Sequence, residues 1–187
     1  MASTHRKRFV SGDAVPSPAG LGIKLWSCPH CRRSGTLIGH GFLSGYEEQG
    51  QAIAQRGRRI FCSDRYRRQG CGRTFSVLAS TALAGFVVRT LTVFRFVEHV
   101  LAGLTRNAAW QAAALGAFSL SSGYRLWRRL QHAQSALRSR LCRQCAPPAC
   151  PHSEPLAALL AHLRAVLPSA ACLFTAFQAD FQRGLFG

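Results

Sequence analysis

Four cysteines constrain this chain more than any other feature. Cys28-Pro29-His30-Cys31 is followed after thirty residues by Cys62 and, after eight more, by Cys71. A C-x2-C pair on a tight turn can set two thiolates about 3.7 Å apart on a tetrahedral metal, and a second pair from a distant hairpin closes the site. The metal then replaces the apolar core that so short a segment cannot build. The flanking residues agree with this. Trp26-Ser27 precedes the first pair, Arg58-Arg59-Ile60-Phe61 runs into Cys62, and Gly72-Arg73-Thr74-Phe75-Ser76 leaves Cys71. Strand, knuckle, strand is the pattern of a zinc ribbon, with one structural Zn²⁺ expected on Cys28, Cys31, Cys62 and Cys71. The insert between the second pair, Ser63 to Gly70, has to loop out, and its Arg65, Arg67 and Arg68 suit a solvated or phosphate-facing loop. His30 and His40 are alternative ligands.

The same tetrapeptide has a second chemical use. Cys-Pro-His-Cys resembles the active-site sequence of oxidising thioredoxin-fold enzymes, in which a helix N-terminus lowers the pKa of the first thiol. That chemistry needs a long helix after the motif. Here Arg32-Arg33-Ser34-Gly35 and then Gly39, Gly41 and Gly45 follow, which do not make one.

The charge is lopsided: 24 Lys and Arg against 7 Asp and Glu give +17, and 22 of the basic residues are Arg. Such a balance points to a polyanionic partner, and Arg is the side chain that grips phosphates and guanine edges with a planar fork. A membrane is not expected. The most apolar charge-free run, Thr74 to Val88, has 15 residues, short of the ~20 that span a bilayer. Behind Arg6, Lys7 and Arg8 stand glycines and prolines where a secretory signal would carry an apolar run. A cytoplasmic location, associated with a bacterial nucleoid, is therefore expected, and the eight cysteines should meet reducing conditions.

Composition divides the chain into a flexible arm (1–22), the zinc-ribbon domain (23–79), a helical domain (90–141), a Cys/Pro linker (142–155) and C-terminal helices (156–187). From Thr90, the residues Val93, Phe94, Val97, Val100, Leu101 and Leu104 recur at helical spacing. A short Ala-rich helix around Ala108 to Leu115 follows, then a turn at Gly116 to Leu120. Ser121 or Ser122 is read as the cap of a third helix, from Gly123 to about Arg140. Helix, glycine turn and Ser-capped basic helix is helix-turn-helix grammar. At about 100° per residue, Arg125, Arg128, Arg129 and His132 fall on one sector, and Leu126, Leu130, Ala133, Leu137 and Leu141 fall beside it. Arg138 lies off the basic sector. No acid occurs between Glu98 and Glu154, so this face is not a mixed-charge solvated surface. The linker holds a second candidate zinc site, Cys142, Cys145, Cys150 and His152, though its prolines suit a plain linker equally. Phe174, Phe177 and Phe181 form a stripe that either packs inward or serves self-association or a protein partner.

Taken together, Cys-Pro-His-Cys, Arg-Arg-Ile-Phe-Cys, Cys-Gly-Arg-Thr-Phe-Ser and the following helices resemble the N-terminal DNA-binding region of bacterial insertion-sequence transposases, over about residues 25–140. The resemblance implies that the ribbon and helices bind double-stranded DNA at mobile-element ends. It also implies that catalysis belongs to a separate RNase-H-like domain with metal-binding carboxylates. No such domain is expected here. The acids are scattered, and 46 residues follow Leu141, too few for several βαβ crossovers of about 30 residues each. The expected fold is α+β: a zinc-ribbon β domain, an all-α helix-turn-helix domain and a short helical tail. The expected function is non-enzymatic DNA binding through Arg125, Arg128, Arg129, His132, Ser121 and Ser122, with Arg65, Arg67 and Arg68. The alternative is a zinc-ribbon transcription regulator or RNA-binding protein unrelated to mobile elements.

Overall fold

Short β-forming runs in the first half of the chain and glycine-poor runs in the second condense separately. A computed structural model describes residues 6–186 apart from 14, 49, 51 and 150–153. It is α+β, with a four-stranded sheet and five α-helices. Two compact units form, one from Met1–Glu47 and Gln51–Ala82, the other from Glu48–Gly50 and Leu83–Gly187.

In the first unit the strands are β1 (Lys7–Val10), β2 (Leu37–Tyr46), β3 (Ile53–Cys62) and β4 (Thr74–Ala79), in the order β1-β4-β3-β2. β2, β3 and β4 are antiparallel neighbours, whereas β1 lies parallel to β4 with Lys7 opposite Ser76. Residues 75–80 of β4 and its exit are buried, as a central strand covered on both sides requires. The core is small: Val15, Ile23, Leu37, Ile60, Phe75, Val77, Ala79 and Ala82, completed by Cys28 and Cys62. Two register shifts break the β2–β3 ladder, between Gly39 and Phe42 and between Leu43 and Ser44, and most of β2 stays exposed.

For Lys7–Val10 and Val15 this corrects the reading of 1–22 as a flexible arm. The four residues of β1 satisfy the edge of β4 that would otherwise be unpaired, and Phe9 and Val15 are each only 4% exposed. A four-residue strand among prolines and glycines shows no period of its own, so only its partner, far along the chain, reveals it.

In the second unit, α1 spans Thr90–Leu101, α2 Arg106–Ala114, α3 Leu120–Leu141, α4 Pro155–Val166 and α5 Leu173–Phe181. Thr105 caps α2 by accepting from the Ala108 N–H (3.3 Å). α3 begins three residues before Gly123, and its cap residue is Ser119, so Ser121 and Ser122 lie inside the first turn instead of capping it. The reason is local. Trp110 Nε1 donates to the Ser119 carbonyl (3.0 Å), which brings the start of α3 hard against α2. A Cβ on Gly123 would come within 2.7 Å of the Trp110 ring, so only glycine admits this approach.

The segment read as a separate C-terminal piece is part of the same core. Leu159, Leu160 and Leu163 of α4 and Phe174 and Phe177 of α5 join Val93, Val97, Leu126 and Leu130 in one cluster. Phe94 meets Phe174 edge-on at 5.5 Å. Phe96 does the same with Trp110 at 5.2 Å and with Trp127 at 5.7 Å. Glu154, placed in the linker by composition, is the α4 cap, and its carboxylate accepts from the Leu156 and Ala157 N–H groups. Three α-helices alone would leave these apolar faces bare, and α4 and α5 cover them.

Candidate metal centre and basic surfaces

The cysteines that head the sequence argument meet in the first unit. The Sγ atoms of Cys28, Cys31, Cys62 and Cys71 all lie within 4.8 Å of one another. Cys28 Sγ is 3.8 Å from Cys71 Sγ, and Cys31 Sγ is 3.7 Å from Cys62 Sγ. A tetrahedral ion with metal–sulfur bonds of about 2.3 Å separates its ligands by roughly that distance. The four cysteines could therefore hold a metal ion with no position left open. The residues after Cys31 turn directly into β2, so the helix that the thioredoxin-like reading needs does not follow the motif.

Two turns build the site. In the first, the Cys28 N–H donates to the Arg33 carbonyl (2.9 Å) and the Arg32 N–H to the Cys28 carbonyl (2.8 Å), with Arg32 in the left-handed region. The His30 N–H points at Cys28 Sγ (3.4 Å). In the second, the Gly72 N–H donates to the Cys62 carbonyl (3.0 Å) and the Cys71 N–H points at Cys62 Sγ (3.3 Å). The insert between them leaves this turn intact because Gly70 N–H donates to the Ser63 carbonyl (2.9 Å) and pinches the loop shut. A Cβ on Gly70 would stand 2.2 Å from that carbonyl oxygen, so the pinch requires glycine.

N–H groups aimed at sulfur and a buried setting pull the thiols in opposite directions. Burial pushes the Cys28 thiol up and carries Cys71 up to about 12, whereas the Arg33 N–H brings Cys31 down to about 7. Crowded thiols of this kind part with their protons when a cation takes their place.

Neither histidine considered as a ligand is one. His30 Nε2 donates to the Thr74 carbonyl (3.2 Å), tying the first turn to β4, and His40 packs against Phe61 with ring centroids 5.5 Å apart. The sequence reading also missed the outer support of the site. The Thr36 hydroxyl lies 3.1 Å from Cys62 Sγ. Arg6 donates to the Pro29 carbonyl, Arg33 to the Gln69 carbonyl, and Arg8 to the Ser27 carbonyl (2.9 Å) while lying over the Trp26 ring. Cys142 is exposed and Cys145 half-buried, with the Cys145 carbonyl accepting from His162 Nε2 (3.1 Å). Cys150 and His152 lie outside the described residues.

In the first unit Arg65, Arg67 and Arg68 stand exposed on the pinched loop. In the second, Arg125, Arg128, Arg129 and His132 are all exposed on α3, while Leu126, Leu130 and Leu137 of the same helix are buried. Arg125 Nη2 approaches Ser122 Oγ (3.4 Å), Ser121 is exposed, and the Arg129 guanidinium lies 4.8 Å from the centre of the Phe86 ring. Phe174 and Phe177 are fully buried, and Phe181 stacks on Phe177 at 4.7 Å; the stripe packs inward. Among the described residues no helix is long and apolar enough to cross a membrane.

Comparison with protein-family models, curated proteins and solved structures finds no match.

Proposed function

We propose that this chain is a zinc-stabilised DNA-binding protein, akin to the DNA-binding head of an insertion-sequence transposase. The first unit is read as a zinc ribbon and α2, the turn and α3 as a helix-turn-helix. The observation that carries the proposal is the α3 face. Arg125, Arg128, Arg129 and His132 are exposed on one helix, in a segment with no acid between Glu98 and Glu154. The adjoining face is locked into the core by Leu126 and Leu130. A helix held from behind and cationic in front can enter a major groove with its N-terminal turns leading.

Zinc is the ion proposed for the four cysteines, because a closed set of four thiolates in tetrahedral spacing suits Zn²⁺ and leaves no ligand position for catalysis. Its part is structural: Cys28 and Cys62 stand where a larger domain would place more apolar side chains.

The test is duplex binding by Arg125→Ala, Arg128→Ala and the off-face variant Arg138→Ala across a salt series. A base-reading Arg loses about 1–3 kcal/mol on truncation and relaxes preference at one position, whereas a phosphate-binding one weakens every sequence alike and flattens the salt slope by about 1. Equal, small effects at all three positions would defeat α3 as the recognition element.

A further inference from the structure

Beside the metal centre, the first unit carries a hollow that no role in duplex binding uses. It has a volume of about 560 Å³, within the range of about 300–1,000 Å³ typical of small-ligand pockets. Half-buried Ile38, Phe61 and Thr74 line it, and exposed His40, Tyr66, Arg65 and Arg68 surround them. Tyr66 is 95% exposed. It and Arg67 both occupy the left-handed region, with φ of 52° and 63°, which non-glycine residues enter at a cost and which clusters at sites of function. The short loop therefore holds an aromatic ring in solvent at the lip of an apolar hollow, among three arginines. A second hollow of about 450 Å³, lined by Ile23, Leu25 and Leu37, adjoins the first and shares Ile38 and Arg68 with it.

We infer that these adjoining hollows take successive bases of an unpaired DNA strand, with Tyr66 and the His40–Phe61 pair as stacking surfaces and Arg65, Arg67 and Arg68 on the intervening phosphates. The chemistry favours this occupant over others. This unit carries thirteen Lys and Arg against Asp13, Glu47 and Asp64, so the ligand is anionic. Aromatic and apolar walls offer nothing to a bare phosphate, but they match the faces of bases. In a duplex those faces are already stacked and out of reach, while in a single strand they are open. Arginine and aromatic side chains interleaved along a groove are the common device for holding single strands without sequence preference.

The inference rests on the DNA-binding reading above, and the experiment separates the two. The full, zinc-loaded chain is titrated by fluorescence anisotropy with a labelled oligothymidylate of about 16 nucleotides and with a mixed-sequence duplex of the same length. Zinc content is measured for each variant to verify the fold. Tyr66→Ala should weaken the single strand by about five- to a hundredfold and leave the duplex nearly unchanged, and Tyr66→Phe should bind like the parent. Arg68→Ala should flatten the single-strand salt slope by about 0.7. If Tyr66→Ala leaves the single strand unaffected, or weakens strand and duplex alike, or if Tyr66→Phe fails equally, the stacking site is overturned while duplex binding stands. A chain that binds neither nucleic acid overturns both readings.

Discussion

Removing the metal should unfold one unit and spare the other. In zinc-dependent modules the metal contributes about 10–16 kcal/mol to folding, which matches or exceeds the whole net stability of an ordinary domain, about 5–15 kcal/mol. The first unit has little to set against that loss. Its large buried side chains are few (Phe9, Val15, Ile23, Leu37, Ile60, Phe75, Val77 and Leu78), and the turns on which two strands end are closed through Cys28 and Cys62. The second unit buries Trp110, Phe96, Phe174, Phe177 and a dozen leucines without any of the four clustered cysteines. Hydrogen exchange read by mass spectrometry, with thiols kept reduced and a strong chelator added, should show amides of β3 and β4 losing protection. Amides of α1 and α3 should keep theirs. Cys62→Ser, which removes a buried ligand, should give the same pattern without chelator. Retained protection in β3 and β4 in the verified absence of metal would refute the argument, and so would simultaneous loss in both units.

Acid should release the metal. Cys28 and Cys71 hold their protons above their ordinary range, so metal uptake near neutrality displaces at least those two, and affinity should fall steadily as pH is lowered; proton release in a weakly buffered titration measures it. Phe177→Ala should destabilise the helical unit by about 3–5 kcal/mol, read as a shift of its denaturation midpoint. Truncation before residue 154 should unfold that unit altogether, since eight apolar side chains at 2% exposure or less leave with it, each worth roughly 1.5–3 kcal/mol; a cooperative unfolding transition in the truncated chain would disprove the shared core. Gly123→Ala should cost about 1–3 kcal/mol by pushing α3 off Trp110, with circular dichroism melts as the measure.

The cysteine cluster that could hold a metal was legible because ligand spacing is itself chemistry: Cys28-x2-Cys31 and a later pair name the site whatever the intervening chain does. The eight-residue insert was legible as a loop but not as a pinched one, since the Gly70–Ser63 bond depends on backbone geometry. β1 was not legible. Its strand character comes from pairing with β4, which stands more than sixty residues away, and four residues cannot display a period. The wheel of α3 named the buried and exposed sides of that helix from residue types alone, yet its start was misread because the Trp110 indole, not a serine hydroxyl, decides where the turn ends. That α4 and α5 share the core of α1–α3 was hidden for a related reason. Prolines mark where a helix starts as readily as where a linker runs, and only the shared core tells which.

Net charge and charge available to a ligand are different quantities here, and the structure separates them. Arg6, Arg8 and Arg33 commit their guanidinium groups to carbonyls around the first cysteine turn and the neighbouring loop. Arg58 lies over Phe42 and Arg106 over Trp127, while Arg164 pairs with Glu98 at 3.1 Å. These cations hold packing together, and an Arg on an aromatic face contributes through contact as well as charge. By contrast, the side chains of Arg65, Arg67, Arg68 and Arg128 make no such contact among the described residues. A formal +17 therefore overstates what a phosphate backbone would meet. The salt slope of duplex binding counts phosphates neutralised, at about 0.9 each, so it should report the displayed arginines of α3 and fall far below what the net charge alone would give.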